Sequence, residues 1–312
     1  MKCEPQSLQD SLVALDKHSL PINWEQEFGN TSPIRVEIGF GNGGALRWCA
    51  QQNPECNFVG FELPKECIIR ASSRIKKDGL KNIRLIRGDA RYLLREMFAP
   101  QSVEKVFMQF PMPWPKEKHA KHRVYSPSFA KTLSHVIQIG GRFELVTDQD
   151  WYANETIAVL AKDPAFQLDA LEINPSREFR TRYEEKWLKE GRQTFKVVAR
   201  IQSHNPANRF SITDSMDTYP LQKIPTQAEL SALVARRFSQ GTATFQIKEI
   251  FSADDGWLLD VIAADESFTQ RYMLRIRPSN KDGAMIRFAD GYRPYFTEAV
   301  QFSLRTLASE LS

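Results

Sequence analysis

No stretch of this 312-residue chain approaches the roughly 20 consecutive apolar residues that a membrane-spanning helix needs, so membrane passage by helices is not expected. The opening MKCEPQSLQDSL has neither a basic n-region nor an apolar core, and a cytoplasmic protein is expected. Cysteine is scarce. The four present, Cys3, Cys49, Cys56 and Cys67, form no Cys-x-x-Cys and no Cys/His pairing, which argues against a disulfide scaffold, a zinc site or redox chemistry. Internal repeats and low-complexity tracts are also missing. With 42% hydrophobic and 26% charged residues, the composition excludes collagen-like and disordered classes. A large charge excess is lacking too: 42 Lys and Arg against 38 Asp and Glu give +4, too little to advertise a polyanion partner by itself. Its distribution says more. Before Asn205 there are 30 basic and 25 acidic residues, and from Asn205 onward 12 and 13, so a nucleic-acid surface is expected in the first two thirds.

What is present is alternation. IRVEI (34–38) runs into a glycine-rich turn and then a helical pattern through Leu46, Trp48 and Cys49. Strand NFVGFE (57–62), helix 64–77, strand IRLIR (83–87), helix 90–97 and strand VEKVFMQF (103–110) follow. Ser126 with Pro127 signals the next helix, expected to stop at Gly140 and Gly141. Strand RFELVTD (142–148), helix 150–161 and strands near 166–173 and 194–201 complete about seven strands. Such alternation predicts an α/β domain over 1–204 with a mostly parallel sheet covered on both faces. A polar, Pro-containing stretch, 205–225, reads as a linker. Residues 226–312, with a helix near 226–238, three β segments and a terminal helix near 296–310, read as a small α+β domain.

Glu37-Ile38-Gly39-Phe40-Gly41-Asn42-Gly43-Gly44 fits both the dinucleotide fingerprint and the looser glycine loop of S-adenosylmethionine enzymes. Three acids separate the two. Glu62 closes the second strand, where a carboxylate can accept both ribose hydroxyls of either ligand. Glu37, at the mouth of the first strand, would repel a pyrophosphate, and Asp89 at the end of the third adds a further negative charge. Three carboxylates suit a ligand with an ammonium and a sulfonium better than one with two phosphates. Ordinary solvated strand-end acids would give the same pattern.

The fourth strand enters FPMPWPKEKHAKHR (110–123). Its prolines fix φ and disfavour helix, giving a stiff loop at the carboxyl end of a strand, where open α/β sheets bind ligands. Lys116, Lys118, Lys121 and Arg123 against Glu117 suit a phosphate backbone, with Trp114 available to stack on a base; a solvated surface reads equally from the charges alone. His119 and His122 have no third ligand nearby, and no metal is expected.

Asn23-Trp24 ahead of VEIGFGNG, then FPxPWPKxxHxKxR, VTDQDWYA and TRYEEKWLKEG, in this order over roughly residues 20–202, resemble the tRNA (guanine-N7-)-methyltransferase family. The resemblance implies a Rossmann-like, S-adenosylmethionine-dependent fold and methylation of a guanine in the variable loop of tRNA. It further implies that Glu37, Glu62 and Asp89, with the loop glycines Gly39, Gly41 and Gly43, hold the methyl donor. Lys116, Asp148 and the Thr181–Glu184 segment are implied to meet the target nucleotide, with Arg123 in the basic run beside them. Asp148 ends the fifth strand on the same sheet edge as the glycine loop. Thr181 and Glu184 share a helix face at i, i+3, a spacing that a capping box explains as well.

One position departs from the family pattern: where Phe-Pro-Asp-Pro is usual, Met112 stands in this chain. Guanine N7 carries an in-plane lone pair and releases no proton on methylation, so placement matters more than a general base. Asp148 is therefore the expected catalytic position. A catalytically silent tRNA-binding relative and a nicotinamide oxidoreductase are the competing readings, the latter without an identifiable hydride-transfer acid. Arg271, Arg275 and Arg277 in the tail are candidate tRNA contacts.

Overall fold

The computed structural model describes residues 11–13, 18–114, 123, 125–180, 182–210, 216–266, 268–279, 283–290 and 294–312. They fall into two compact units, Met1–Ala207 and Asn208–Ser312.

In the first unit, helix α1 (Trp24–Phe28) is capped by Asn23, whose side chain accepts from the Gln26 N–H at 3.0 Å. Then strands β1 (Ile34–Ile38), β2 (Asn57–Glu62), β3 (Ile83–Arg87), β4 (Val103–Gln109) and β5 (Ile137–Thr147) alternate with helices. These are α2 (Gly44–Gln52), α3 (Lys65–Lys77), α4 (Ala90–Met97) and α5 (Pro127–Val136), with α6 (Asp150–Leu160) after β5. The short β6 (Phe166–Leu168) and β7 (Glu172–Ile173), α7 (Arg182–Lys189) and β8 (Phe195–Ile201) close the unit. The sheet order is β3-β2-β1-β4-β5-β8-β6, with β7 also on β8. β1 to β5 are mutually parallel, and β8 runs antiparallel to β5 and β6. Val36, Val59, Leu85, Ile86 and Val106 are 0% exposed, as expected of strands buried on both faces. Truncating any of these to Ala should cost about 1–5 kcal/mol through lost transfer energy and the cavity left behind.

Two helix starts are legible in their caps. Ser126 Oγ accepts from the Phe129 N–H at 3.1 Å with Pro127 in the first turn of α5, and Asp89 Oδ1 accepts from the Arg91 N–H at 3.0 Å at the start of α4. Gly140 and Gly141 do not end α5, however: the helix stops at Val136 and β5 runs straight through both glycines. Gly140 takes φ +82°, and the reason for Gly141 is close approach. A Cβ on Gly141 would lie 2.5 Å from the Glu104 carbonyl oxygen, where β5 pairs irregularly with β4.

The second unit is an antiparallel sheet in the order β10-β11-β12-β13-β14-β9. It comprises β9 (Thr218–Leu221), β10 (Arg237–Gln240), β11 (Ala243–Ala253), β12 (Gly256–Asp265), β13 (Phe268–Pro278) and β14 (Ala284–Phe288), with short helix α8 (Gln227–Ser231) and terminal helix α9 (Glu298–Glu310). Ala299, Val300, Leu304 and Leu307 of α9 join Phe245, Val261, Leu274 and Ile286 in one core. Three stretches depart from expectation, the first being β14, a strand beyond the three β segments expected. The helix expected over 226–238 ends at Ser231; Ala235 takes φ +63°, and Phe238 turns into β10 to stack on Phe245 at 4.6 Å, a tertiary pairing that overrides local helix preference. Within the expected linker, 218–221 form β9, an edge strand that tolerates Pro220 while burying Leu221. The candidate contact Arg271 donates to Asp260 at 2.9 Å, and Arg275 and Arg277 meet Asp255 at 2.6 and 3.1 Å, so their charges are answered within the unit.

Candidate active site

Between β1 and β4 the strand order reverses direction, which opens a crevice at the carboxyl ends of the parallel strands. The glycine loop caps β1 there. Gly39, Gly41 and Gly43 all have positive φ, at +74°, +54° and +70°. The Gly39 N–H donates to the Phe61 carbonyl at 2.9 Å, and the Gly43 N–H to that of Phe40 at 2.8 Å. Among the described residues a side chain at Gly39 or Gly41 would meet nothing within 4 Å, whereas at Gly43 it would strike Ala71 at 2.9 Å. The first two glycines leave room for a ligand; the third lets α2 pack on α3.

Glu62 closes this turn from β2: the Gly41 N–H donates to its Oε2 at 2.6 Å and the Leu63 N–H to its Oε1 at 2.9 Å. Each oxygen keeps a second acceptor site, so a ribose diol can still be received. Glu37 in β1 is 2% exposed, and among the described residues its Oε2 has no hydrogen-bond partner. Burial, with Glu62 adding to it, pushes this carboxyl up to about 8 against the pull of the Arg177 guanidinium. A buried acid with an unanswered oxygen beside open space fits a ligand that brings a positive charge. The Gly88 N–H donates to the Glu62 carbonyl at 3.0 Å, which sets Asp89 next to this group. Asp89 itself caps α4 and also takes Arg91 Nε at 2.9 Å.

On the other side of the crevice, the Phe110 N–H donates to the Val146 carbonyl at 2.7 Å and joins the tips of β4 and β5. Asp148 follows β5 and accepts from Gln149 Nε2 at 2.8 Å. Phe110 and Trp114 take φ of +50° and +47°, left-handed values at the two ends of Pro111-Met112-Pro113, and Met112 between them is 67% exposed. Such conformations in residues with bulky side chains mark a backbone held by its surroundings. Arg123, expected as a phosphate contact, supplies part of that hold. It is 8% exposed, its Nε donates to the Trp114 carbonyl at 3.2 Å, its Nη1 lies 3.5 Å from Glu155, and its guanidinium stands 5.1 Å from the Trp151 ring centroid. Tyr125 donates its hydroxyl proton to the same Glu155. Lys116 and Thr181 lie outside the described residues.

Glu184, in α7, is 1% exposed and accepts from Arg177 Nη1 at 2.6 Å. Arg177 also donates to Gln109 Oε1 at the end of β4 and stands 5.5 Å from the Phe110 ring centroid. Sequence reasoning passed over this arginine; its only trace was a basic residue in the loop just before a recognised motif. Cys49, Cys56 and Cys67 are free thiols, and burial pushes Cys49 up to about 12 and Cys56 to about 11, away from nucleophilic character. Among the described residues no cluster of His, Cys, Asp and Glu could hold a metal ion, and no helix is long and apolar enough to cross a membrane.

The parallel sheet extended by an antiparallel strand, with a glycine loop at its switch point, is that of an S-adenosylmethionine-dependent methyltransferase. Residues 31–197 match the family described as "Putative methyltransferase". The chain is similar to the tRNA (guanine-N(7)-)-methyltransferase of Thermotoga maritima, 38% identical over 94% of this chain and 93% of that protein. It is also similar to that of Thermus thermophilus, 27% identical over 94% of each chain, and to that of Aquifex aeolicus, 25% identical over 89% of this chain and 94% of that one. The chain belongs to the tRNA (guanine-N(7)-)-methyltransferase family. With 94% of its length aligned to the Thermotoga maritima protein, most of the second unit is shared with that relative, and the likeness is not confined to residues 20–202.

Proposed function

We propose that this chain methylates N7 of a guanine in the variable loop of tRNA and that the crevice between β1 and β4 is where it does so. The observation that carries the placement is the unanswered, buried Glu37 oxygen beside the open glycine loop. S-adenosylmethionine, when bound, supplies an electrophilic methyl group on a sulfonium. Glu37 answers the ammonium of the donor, Glu62 accepts from the ribose hydroxyls, and Gly39 and Gly41 admit its backbone closely. Asp89 lies one strand further along the same edge. On the acceptor side Asp148 and Glu184 accept from the guanine ring N–H and amino group, which leaves N7 facing the donor. Lys116 and Thr181 are assigned to the target nucleotide by the family motif alone.

No side chain has to take a proton, because N7 attacks with a lone pair that bears none. Met112, exposed on the loop, therefore removes no required base, and placement can supply several kcal/mol of the barrier reduction. Arg123, Glu155 and Tyr125 act one step back by holding the loop. A cytoplasmic setting is part of this reading, and the free thiols of Cys49, Cys56 and Cys67 support it. The test is methyl transfer from labelled donor to unmodified tRNA with base analysis of the product: 7-methylguanine in the variable loop is expected, and no transfer to any tRNA bearing a guanine there would overturn the reading.

A further inference from the structure

We propose that Arg177 is the positioning residue that sets Glu184 against the guanine and ties that setting to the donor side of the crevice. The inference rests on the assignment of Glu184 to the guanine made above. A carboxylate as buried as Glu184, at 1% exposure, needs partners that replace water. Arg177 is such a partner, 2.6 Å away through Nη1. Its Nη2 is engaged with Gln109 at the tip of β4, and the face of Phe110 lies 5.5 Å from the guanidinium carbon. The same charge is close enough to Glu37 to oppose the upward push that burial gives that acid.

Three elements thus converge on one planar group: β1 through Glu37, β4 through Gln109, and α7 through Glu184. A guanidinium presents its N–H donors in a rigid fork and can serve Gln109 and Glu184 together, whereas an ammonium is one charge on a flexible stem. Two residues further on, Phe179 packs on Trp48 of α2 at 5.7 Å between ring centroids and would lie 3.4 Å from a Cβ placed on Gly44. The stretch 177–179 therefore straps the first turn after the glycine loop to the tip of β4. Arg177 moves no proton, since the guanidinium stays charged at neutral pH and N7 releases none; what it contributes is the orientation of a carboxylate.

The test uses the full chain, unmodified tRNA and S-adenosylmethionine, with kcat, both KM values and the melting temperature read for Arg177→Lys, Arg177→Gln, Glu184→Gln and the double variant Arg177→Lys/Glu184→Gln. Arg177→Lys keeps the charge beside Glu37 and loses the fork. It should lower kcat/KM for tRNA about tenfold, the size of one charge-assisted hydrogen bond, with the donor KM within about twofold and the melting temperature unchanged. The double variant should be no worse than Glu184→Gln, because the two residues act as one unit. Arg177→Gln, which also removes the charge beside Glu37, should in addition raise the donor KM. Wild-type kcat/KM in Arg177→Lys beside a crippled Glu184→Gln, or losses that add in the double variant, would sink the inference and leave the proposed function standing. Wild-type kinetics in Glu184→Gln would remove the assignment of Glu184 and the inference with it.

Discussion

Glu37 in β1 and Asp265 at the end of β12 are both buried acids that loss of water raises above the ordinary carboxylate range, yet their surroundings differ. Asp265 accepts from the Thr297 hydroxyl at 2.5 Å and the Ala299 N–H at 2.8 Å, so it secures the first turn of α9. Glu37 has an oxygen that no described residue answers. Other acids follow the pattern of Asp265: Asp255 and Asp260 of the second unit are clasped by arginines and Asp89 of the first by Arg91, while Glu37 feels the Arg177 charge with no described partner for its Oε2. An acid met from within stabilises its own fold. An acid left unmet costs its own fold stability, the mark expected of a residue kept for a ligand.

The contrast breaks most decisively by exchange of readouts. Glu37→Ala and Glu62→Ala should each weaken binding of S-adenosylhomocysteine by about 1–3 kcal/mol with the melting temperature held or raised, whereas Asp265→Ala should cost about 1–3 kcal/mol of stability and leave that binding untouched. Calorimetry and thermal unfolding on the three variants decide it, and a loss of stability without a loss of affinity in Glu37→Ala would erase the distinction.

The pH dependence sharpens the comparison next. Glu37, raised from 4.5 to about 8, keeps in the folded state a proton that the unfolded chain has released across that window, so its contribution to stability declines as pH rises through it. A cationic ligand favours the ionised form. Donor affinity should therefore climb with pH by up to about tenfold per unit below 8 and then level off. Titrations in buffers of different ionisation enthalpy should show release of up to about one proton per ligand near neutrality; no release would mean that the ammonium lies elsewhere.

A smaller effect is expected on turnover alone. Asp148→Asn should lower kcat about tenfold, while Met112→Ala, at an exposed position, should stay within about twofold. The reverse order would return the chemistry to the loop. The smallest change is expected at the donor site when the chain ends at Pro206: S-adenosylhomocysteine should bind as before, and tRNA less tightly, read by fluorescence anisotropy. Unchanged tRNA affinity with a lower melting temperature would confine the second unit to stabilisation.

Much of the first sheet is legible in the sequence because parallel strands buried on both faces must be short apolar runs, and IRVEI, NFVGFE and IRLIR are such runs. Caps such as Ser126-Pro127 fixed helix starts for the same local reason. Where the outcome depends on a distant partner, the local signal misleads: Phe238 leaves a helical pattern for Phe245, and Gly141 serves a strand crossing beneath the Glu104 carbonyl instead of a helix end. The site divides likewise. Glu37, Gly39, Gly41, Gly43 and Glu62 sit on or beside consecutive strand ends and could be named from pattern. Arg177 could not, since its partners Gln109 and Glu184 belong to separate elements, and Arg123 appeared as surface charge because sequence shows a basic run without showing which member turns inward.

Phe110 and Trp114 hold left-handed backbone that a bulky residue adopts only at a cost of about 1–3 kcal/mol, a cost that substitution by glycine or asparagine would largely remove. Selection for stability alone would discard both. Their presence makes these two positions a historical record: in a lineage freed from the need to methylate tRNA, drift at 110 and 114 toward residues comfortable at positive φ should precede decay of the buried sheet.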